Sequence, residues 1–120
     1  MTRAGRGWEG EELACRHLEA QGFRILARNW RCRAGELDIV ARDGPVTVFV
    51  EVKDRGDASH GQGFEAVTVH KRRRVVLAAR LYAARQGLGE EPLRFDVVSI
   101  DRSTGAPRVR HDRDAFTAEG

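Results

Sequence analysis

The chain of 120 residues has room for one domain around one modest core, which excludes a two-domain arrangement. With 41% hydrophobic and 32% charged residues it has the make-up of a globular protein, and no apolar run approaches the length of a membrane-spanning helix. A net charge of +3 and a pI of about 9.4, carried far more by arginine than by lysine, favour an anionic partner.

The first residues, Met1 to Trp8, are basic but have no apolar h-region, so they do not read as a secretory signal. Cys15 and Cys32 have no metal-binding spacing, and a cytoplasmic protein with free thiols is the expectation. Residues 7–21 read as a helix. At 100° per residue Gly7, Trp8, Ala14, Cys15, Leu18 and Gly22 gather around Glu11, while Leu13 falls opposite them. Glu11 thus lies on the face that should be buried, where a carboxylate needs an arginine, a hydrogen-bond network or a metal. Gly22 ends the helix.

Residues 23–32 read as a strand with imperfect alternation, and Trp30 as a core or rim aromatic. Residues 35–53 hold two more strands around the turn signal Asp43-Gly44-Pro45. A turn at Asp43-Gly44 makes Glu51 the diagonal neighbour of Asp38. A turn at Gly44-Pro45 puts the two directly opposite. Either register places Asp38, Glu51 and Lys53 on one face, with cross-strand neighbours about 5–8 Å apart. A three-residue loop would break that parity. Two carboxylates this close repel unless a proton or a cation lies between them, and a hard divalent cation suits oxygen ligands. The competing reading is an ordinary exposed sheet face with ion pairs. Glu36 shares the face of Asp38, as a further ligand or as support for one.

Residues 54–67 form a long glycine-rich loop bordering this region; His60 within it has no assigned role. Residues 68–86 read as a second helix capped by Thr68, with Val75, Ala78, Ala79 and Tyr82 as its apolar face. Its first turns carry His70, Lys71, Arg72, Arg73 and Arg74. Cations there oppose the helix dipole, so an anion docked at that end would account for them; a solvated basic face would too. Residues 93–100 read as a fourth strand carrying Asp96, which pairs with an arginine or approaches the site. Residues 108–111 read as a short edge strand, and residues 113–120 as a tail that is loosely held apart from Phe116.

The order is helix, three strands, helix, strand, with acids on the first helix and on the second and third strands. This resembles the PD-(D/E)XK nuclease superfamily, which includes Holliday-junction resolvases. More closely, the chain resembles the YraN family of small bacterial proteins predicted to be endonucleases. The matching residues are Gly10-Glu11-Glu12-Leu13-Ala14, Gly22-Phe23, Asn29-Trp30, Gly35-Glu36-Leu37-Asp38-Ile39-Val40, Phe49-Val50-Glu51-Val52-Lys53, Lys71, Arg94-Phe95-Asp96-Val97 and Ala115-Phe116. The resemblance implies a single α/β domain over residues 1–120, restriction-endonuclease-like, with an αβββαβ core and a central mixed sheet flanked by helices. It implies a hydrolase cleaving phosphodiester bonds in nucleic acid, DNA before RNA. Asp38, Glu51 and the Val52 carbonyl would hold Mg²⁺, or Mn²⁺ in its place, and Glu11 would complete the site. Lys53 would position water or stabilise charge on phosphorus, and Lys71 matches a basic residue near related sites. The cations at 72–74 would hold flanking phosphates. The superfamily's resolvases are dimers, so a homodimer is compatible; no membrane is expected. Asp54 departs from the family pattern, which has a small hydroxylated residue there, and adds negative charge beside the site. The alternatives are a nucleic-acid-binding protein of the same fold with little or no turnover, and a protein–protein adaptor.

Overall fold

A computed structural model describes residues 6–54 and 68–118. Helix α1 spans Arg6–Ala20 and is followed by strands β1 (Arg24–Cys32), β2 (Gly35–Asp43) and β3 (Val46–Asp54). Helix α2 spans Val69–Gln86 and precedes β4 (Leu93–Asp101) and β5 (Arg108–Phe116). The strands form one sheet in the order β1-β2-β3-β4-β5, with β3 and β4 parallel and the other pairs antiparallel. This is a mixed α/β domain of the expected element order, with β5 added. The glycine-rich loop and His60 lie outside the described residues. Among the described residues no helix is long and apolar enough to cross a membrane.

Each helix covers one face of the sheet. Ala14, Cys15 and Leu18 of α1 pack with Phe23, Ile39, Ala41, Val48, Val50 and Val98. Val75, Val76, Ala78, Ala79 and Tyr82 of α2 pack with Leu37, Val40, Phe49, Phe95, Val97 and Phe116. Leu13 is only partly buried, as its place on the helix wheel predicts. Gly22 has φ +93, and Phe23 N–H donates to the Leu18 carbonyl, which closes α1 and turns the chain into β1. Thr68 caps α2 by accepting from the Lys71 N–H at 3.1 Å. Trp30 sits edge-on to Tyr82 with Arg85 over its ring, a rim aromatic.

The hairpin register is now settled. Asp43 pairs with Val46 and Ile39 with Val50, so the turn is Gly44-Pro45; Asp38 and Glu51 lie just beyond the end of this ladder, near enough for their carboxylates to repel. Alternation breaks on the neighbouring strand. Asn29 has φ +54, and the β1–β2 register slips between Ile25 and Ala27. That irregularity is why residues 23–32 alternate poorly in sequence.

Two differences from the sequence reading stand out. The edge strand does not stop at residue 111: β5 continues to Phe116, so residues 113–115 are strand and not loose tail, and Phe116 is held as expected. The reason lies in Asp96, which is 0% exposed and sits between β4 and β5. It takes two hydrogen bonds from Arg94 (2.9 and 3.0 Å), an Nε2 contact from His111 (2.8 Å) and the Asp114 N–H (2.9 Å). Burial alone would push its pKa up, but the contacts from His111, Arg94 and the Asp114 amide outweigh burial and hold it below the usual value. Asp96 is therefore a structural tie and stands apart from the acid pair. Asp96→Ala is expected to destabilise the fold by about 3–5 kcal/mol, because it strands a cation on removal of its partner; urea melts would check this, and a loss below about 1 kcal/mol would contradict it.

Asp54 is also a tie. Arg102 grips both its oxygens at 3.1 Å, so the extra negative charge expected beside the site is matched by a cation. On its other side is Gly10 of α1, where an added Cβ would lie 2.5 Å from Asp54 Oδ2 and 3.0 Å from its Cβ. In an open helix, glycine to alanine stabilises by up to about 1 kcal/mol. Here Gly10→Ala should reverse sign and cost about 1–3 kcal/mol through overpacking. A thermal melt that rises in the variant would refute the contact.

Candidate active site

The site lies where β2 and β3 meet the start of α2. Arg31, Glu36, Asp38, Glu51, Lys71 and Arg74 line an open cleft of about 490 Å³, with Cys32, Gly35 and Val75 as the rest of its wall. Asp38 is fixed by the hairpin: its Oδ2 accepts the Val52 N–H at 3.0 Å. Glu51 is 2% exposed, and Lys71 Nζ lies 3.3 Å from its Oε1 as an ion pair. Neither Glu51 oxygen has a hydrogen-bond partner among the described residues.

Burial and mutual repulsion oppose charge here. Glu51 is pushed up to about 8 by burial first and by Asp38 second, with Lys71 acting the other way. Asp38 is raised, again by burial, against the Val52 N–H and Lys71, while Glu11 and Glu36 add repulsion. Two acids that resist ionisation at one cleft are the electrostatic form of a site short of positive charge.

The sequence reading is partly gathered here and partly dispersed. Asp38, Glu51, Glu36, Lys71 and Arg74 come together. Glu11 is 5% exposed and acts on Asp38 through space, but its Oε1 takes the Asn29 amide at 2.9 Å and it does not line the cleft. Lys53 pairs with Ser99 of β4 and is half-buried outside the cleft wall. Arg72 turns away to lie over the Phe116 ring, 6.0 Å from its centroid, and Arg73 is exposed outside the wall. Arg31 and Cys32 were not singled out from the sequence. The tight β1–β2 turn held the signal for Arg31, because pairing Cys32 with Gly35 sets Arg31 opposite Glu36, and the two side chains meet at 3.4 Å.

Divalent metal is tested by the donor set. Among the described residues no three His, Cys, Asp or Glu side chains form a metal-holding group. The pair Asp38 and Glu51 remains, and Glu51's buried oxygens, with Lys71 as their ion-pair partner, fit a cation that takes few carboxylates and keeps several waters, which describes Mg²⁺ better than Ca²⁺ or Zn²⁺.

A mixed sheet flanked by two helices, with buried Glu51 and half-buried Asp38 in a cleft at the start of a basic helix, defines a single α/β domain with acids and cations brought together at one cleft. The chain belongs to the uncharacterised protein family UPF0102, whose model matches residues 10–100. It is 43% identical over 116 residues to a UPF0102 protein of Pseudomonas aeruginosa (strain LESB58), covering 94% of this chain and 93% of that one. It is 48% identical over 118 residues to one of Anaeromyxobacter dehalogenans, covering 98% and 88%. For one of Geobacter sulfurreducens the identity is 48% over 111 residues, covering 92% and 87%. Among solved structures, a chain from the structure of an EndoMS-dsDNA2 complex aligns with TM-score 0.43 and 21% identity; the match covers 79% of this chain and 36% of that one.

Proposed function

We propose that this protein is a Mg²⁺-dependent endonuclease that hydrolyses phosphodiester bonds in nucleic acid, DNA in preference to RNA, with branched or otherwise structured DNA as the substrate class. The observation that carries the reading is the neighbouring pair of half-buried Asp38 and buried Glu51 in one cleft lined also by Lys71 and Arg74. Asp38, Glu51 and the Val52 carbonyl would hold the ion. A bound Mg²⁺ would lower the pKa of an attached water and screen the charge that builds on phosphorus.

The chain's own side chains supply the rest. Asp38 is held in one orientation by the Val52 amide, so it offers its second oxygen to the site. Lys71 and Arg74 draw a phosphate over the acids, and Arg31 extends the positive edge. Lys53, on the same face of β3 as Glu51, is the residue for the attacking water or the phosphate. Glu36 orients groups around Asp38 from the cleft wall. Such contacts grip backbone and not base edges, which favours recognition of shape over sequence.

The test is nicking of four-way, flap, single-stranded and duplex DNA with Mg²⁺, Mn²⁺ or EDTA at low salt. Metal-dependent cleavage that favours a branched form supports the reading. A second reading, binding without turnover, draws on Lys53's position outside the cleft wall. DNA binding with no cleavage in either metal would establish it, and no binding even at low salt would remove both.

A further inference from the structure

Of the chain's 21 basic side chains only two are lysines, Lys53 and Lys71, and Lys71 lies against the acid pair. The cations that hold the fold together are arginines. Arg94 on Asp96 and Arg102 on Asp54 each make two hydrogen bonds to one carboxylate, the planar fork that binds most durably. At Glu51 the charged partner among the described residues is one ammonium, 3.3 Å from Oε1. The Lys71 side chain is 50% exposed, so it can leave for solvent, whereas Glu51 at 2% cannot. Arg74 stands on the same cleft wall as a neighbour for a phosphate.

We infer that Lys71 is a resident counter-cation, which a divalent metal displaces from Glu51, and that the freed ammonium becomes a phosphate ligand beside Arg74. The inference rests on the metal-site reading above and adds to it a coupling between metal and nucleic acid. An ammonium and a divalent ion held against one buried carboxylate repel each other, so a bound metal weakens the Lys71 contact and favours its release. Metal loading then adds a positive side chain to the binding surface as well as the ion itself. By linkage, bound nucleic acid tightens metal binding by the same factor. A lysine suits this part because its charge is compact, on a flexible stem, and tied by no fork.

The test uses the unmodified full chain and a limiting amine-acylating reagent, read residue by residue by mass spectrometry. Because there are only two lysines, the readout is clean. Saturating Mg²⁺, without nucleic acid, should raise acylation of Lys71 about fivefold as the ammonium moves out to solvent. In parallel, Mn²⁺ affinity is measured by electron paramagnetic resonance on the wild type and on Lys71→Met, Lys71→Arg and Glu51→Gln. Lys71→Met should bind Mn²⁺ about tenfold more tightly, and Lys71→Arg, which can grip Glu51 with a fork, more weakly than wild type. Unchanged Lys71 acylation with Mn²⁺ bound in a Glu51-dependent manner overturns the displacement and leaves the metal site standing. Mn²⁺ binding that ignores Glu51→Gln, or its absence, removes the metal-site reading and this inference with it.

Discussion

Asp38→Asn is expected to lower Mg²⁺-dependent cleavage by about a thousandfold or more while leaving nucleic-acid binding in EDTA equal to wild type or slightly tighter. The two effects separate because Asp38 carries negative charge in a cleft whose other wall, Lys71 and Arg74, is positive. Removing the charge takes away a proposed metal ligand but also a repulsion toward phosphate. The amide keeps an oxygen for the Val52 N–H, which Asp38 accepts at 3.0 Å, so the hairpin should hold. The measurement is single-turnover cleavage beside fluorescence-anisotropy binding. Cleavage within about tenfold of wild type would place the chemistry elsewhere in the chain.

Glu51→Gln should make the metal-free protein more stable, and only at higher pH. Glu51 is 2% exposed and its pKa is pushed up to about 8 from an ordinary 4.5. A carboxyl with a raised folded-state pKa contributes stability that is complete below its unfolded value and is lost as pH climbs through the folded one. The wild type in EDTA should therefore weaken between about pH 4.5 and pH 8, on the order of a few kcal/mol. Asp38, raised in the same direction, adds to that slope. Glutamine has the shape of the protonated acid and cannot ionise. Calorimetry should show the variant melting several degrees above wild type at pH 8, with no gap at pH 5. Added Mg²⁺ should raise the wild type and not the variant. A gap that is constant across pH, or of opposite sign at pH 8, would sink the account.

Much of this site was legible in the sequence, and the residues show why. Strand parity alone put Asp38 and Glu51 on one face, because the turn at Gly44-Pro45 has an even number of residues. The helix wheel alone buried Glu11, but it could not show that Asn29 would take its carboxylate. Asn29 does so from a backbone with φ +54, a kink no periodicity reveals. The basic run at 71–74 was visible as charge, yet a helix turns 100° per residue, so Lys71 and Arg74 reach the cleft while Arg72 covers Phe116. Strand β5 was the least legible element. Its sequence from Arg108 to Phe116 is polar, and what holds it is the buried tie of Asp96 to His111 and the Asp114 amide. A strand recruited by hydrogen bonds from its neighbour leaves little hydrophobic trace.

The order of strands in the sheet carries a kinetic implication. β1, β2 and β3 are joined in sequence by tight antiparallel turns, so they can close as a local meander. β4 can reach its parallel place beside β3 only after the long crossover that contains α2 has closed. The meander therefore gathers Asp38 and Glu51 early, before α2 delivers Lys71. During that interval the acids face water and can ionise freely; their burial coincides with the docking of the helix that carries their cation. Pulse-labelled amide exchange should accordingly show protection in residues 35–54 before residues 93–101, and the reverse order would exclude this sequence of events.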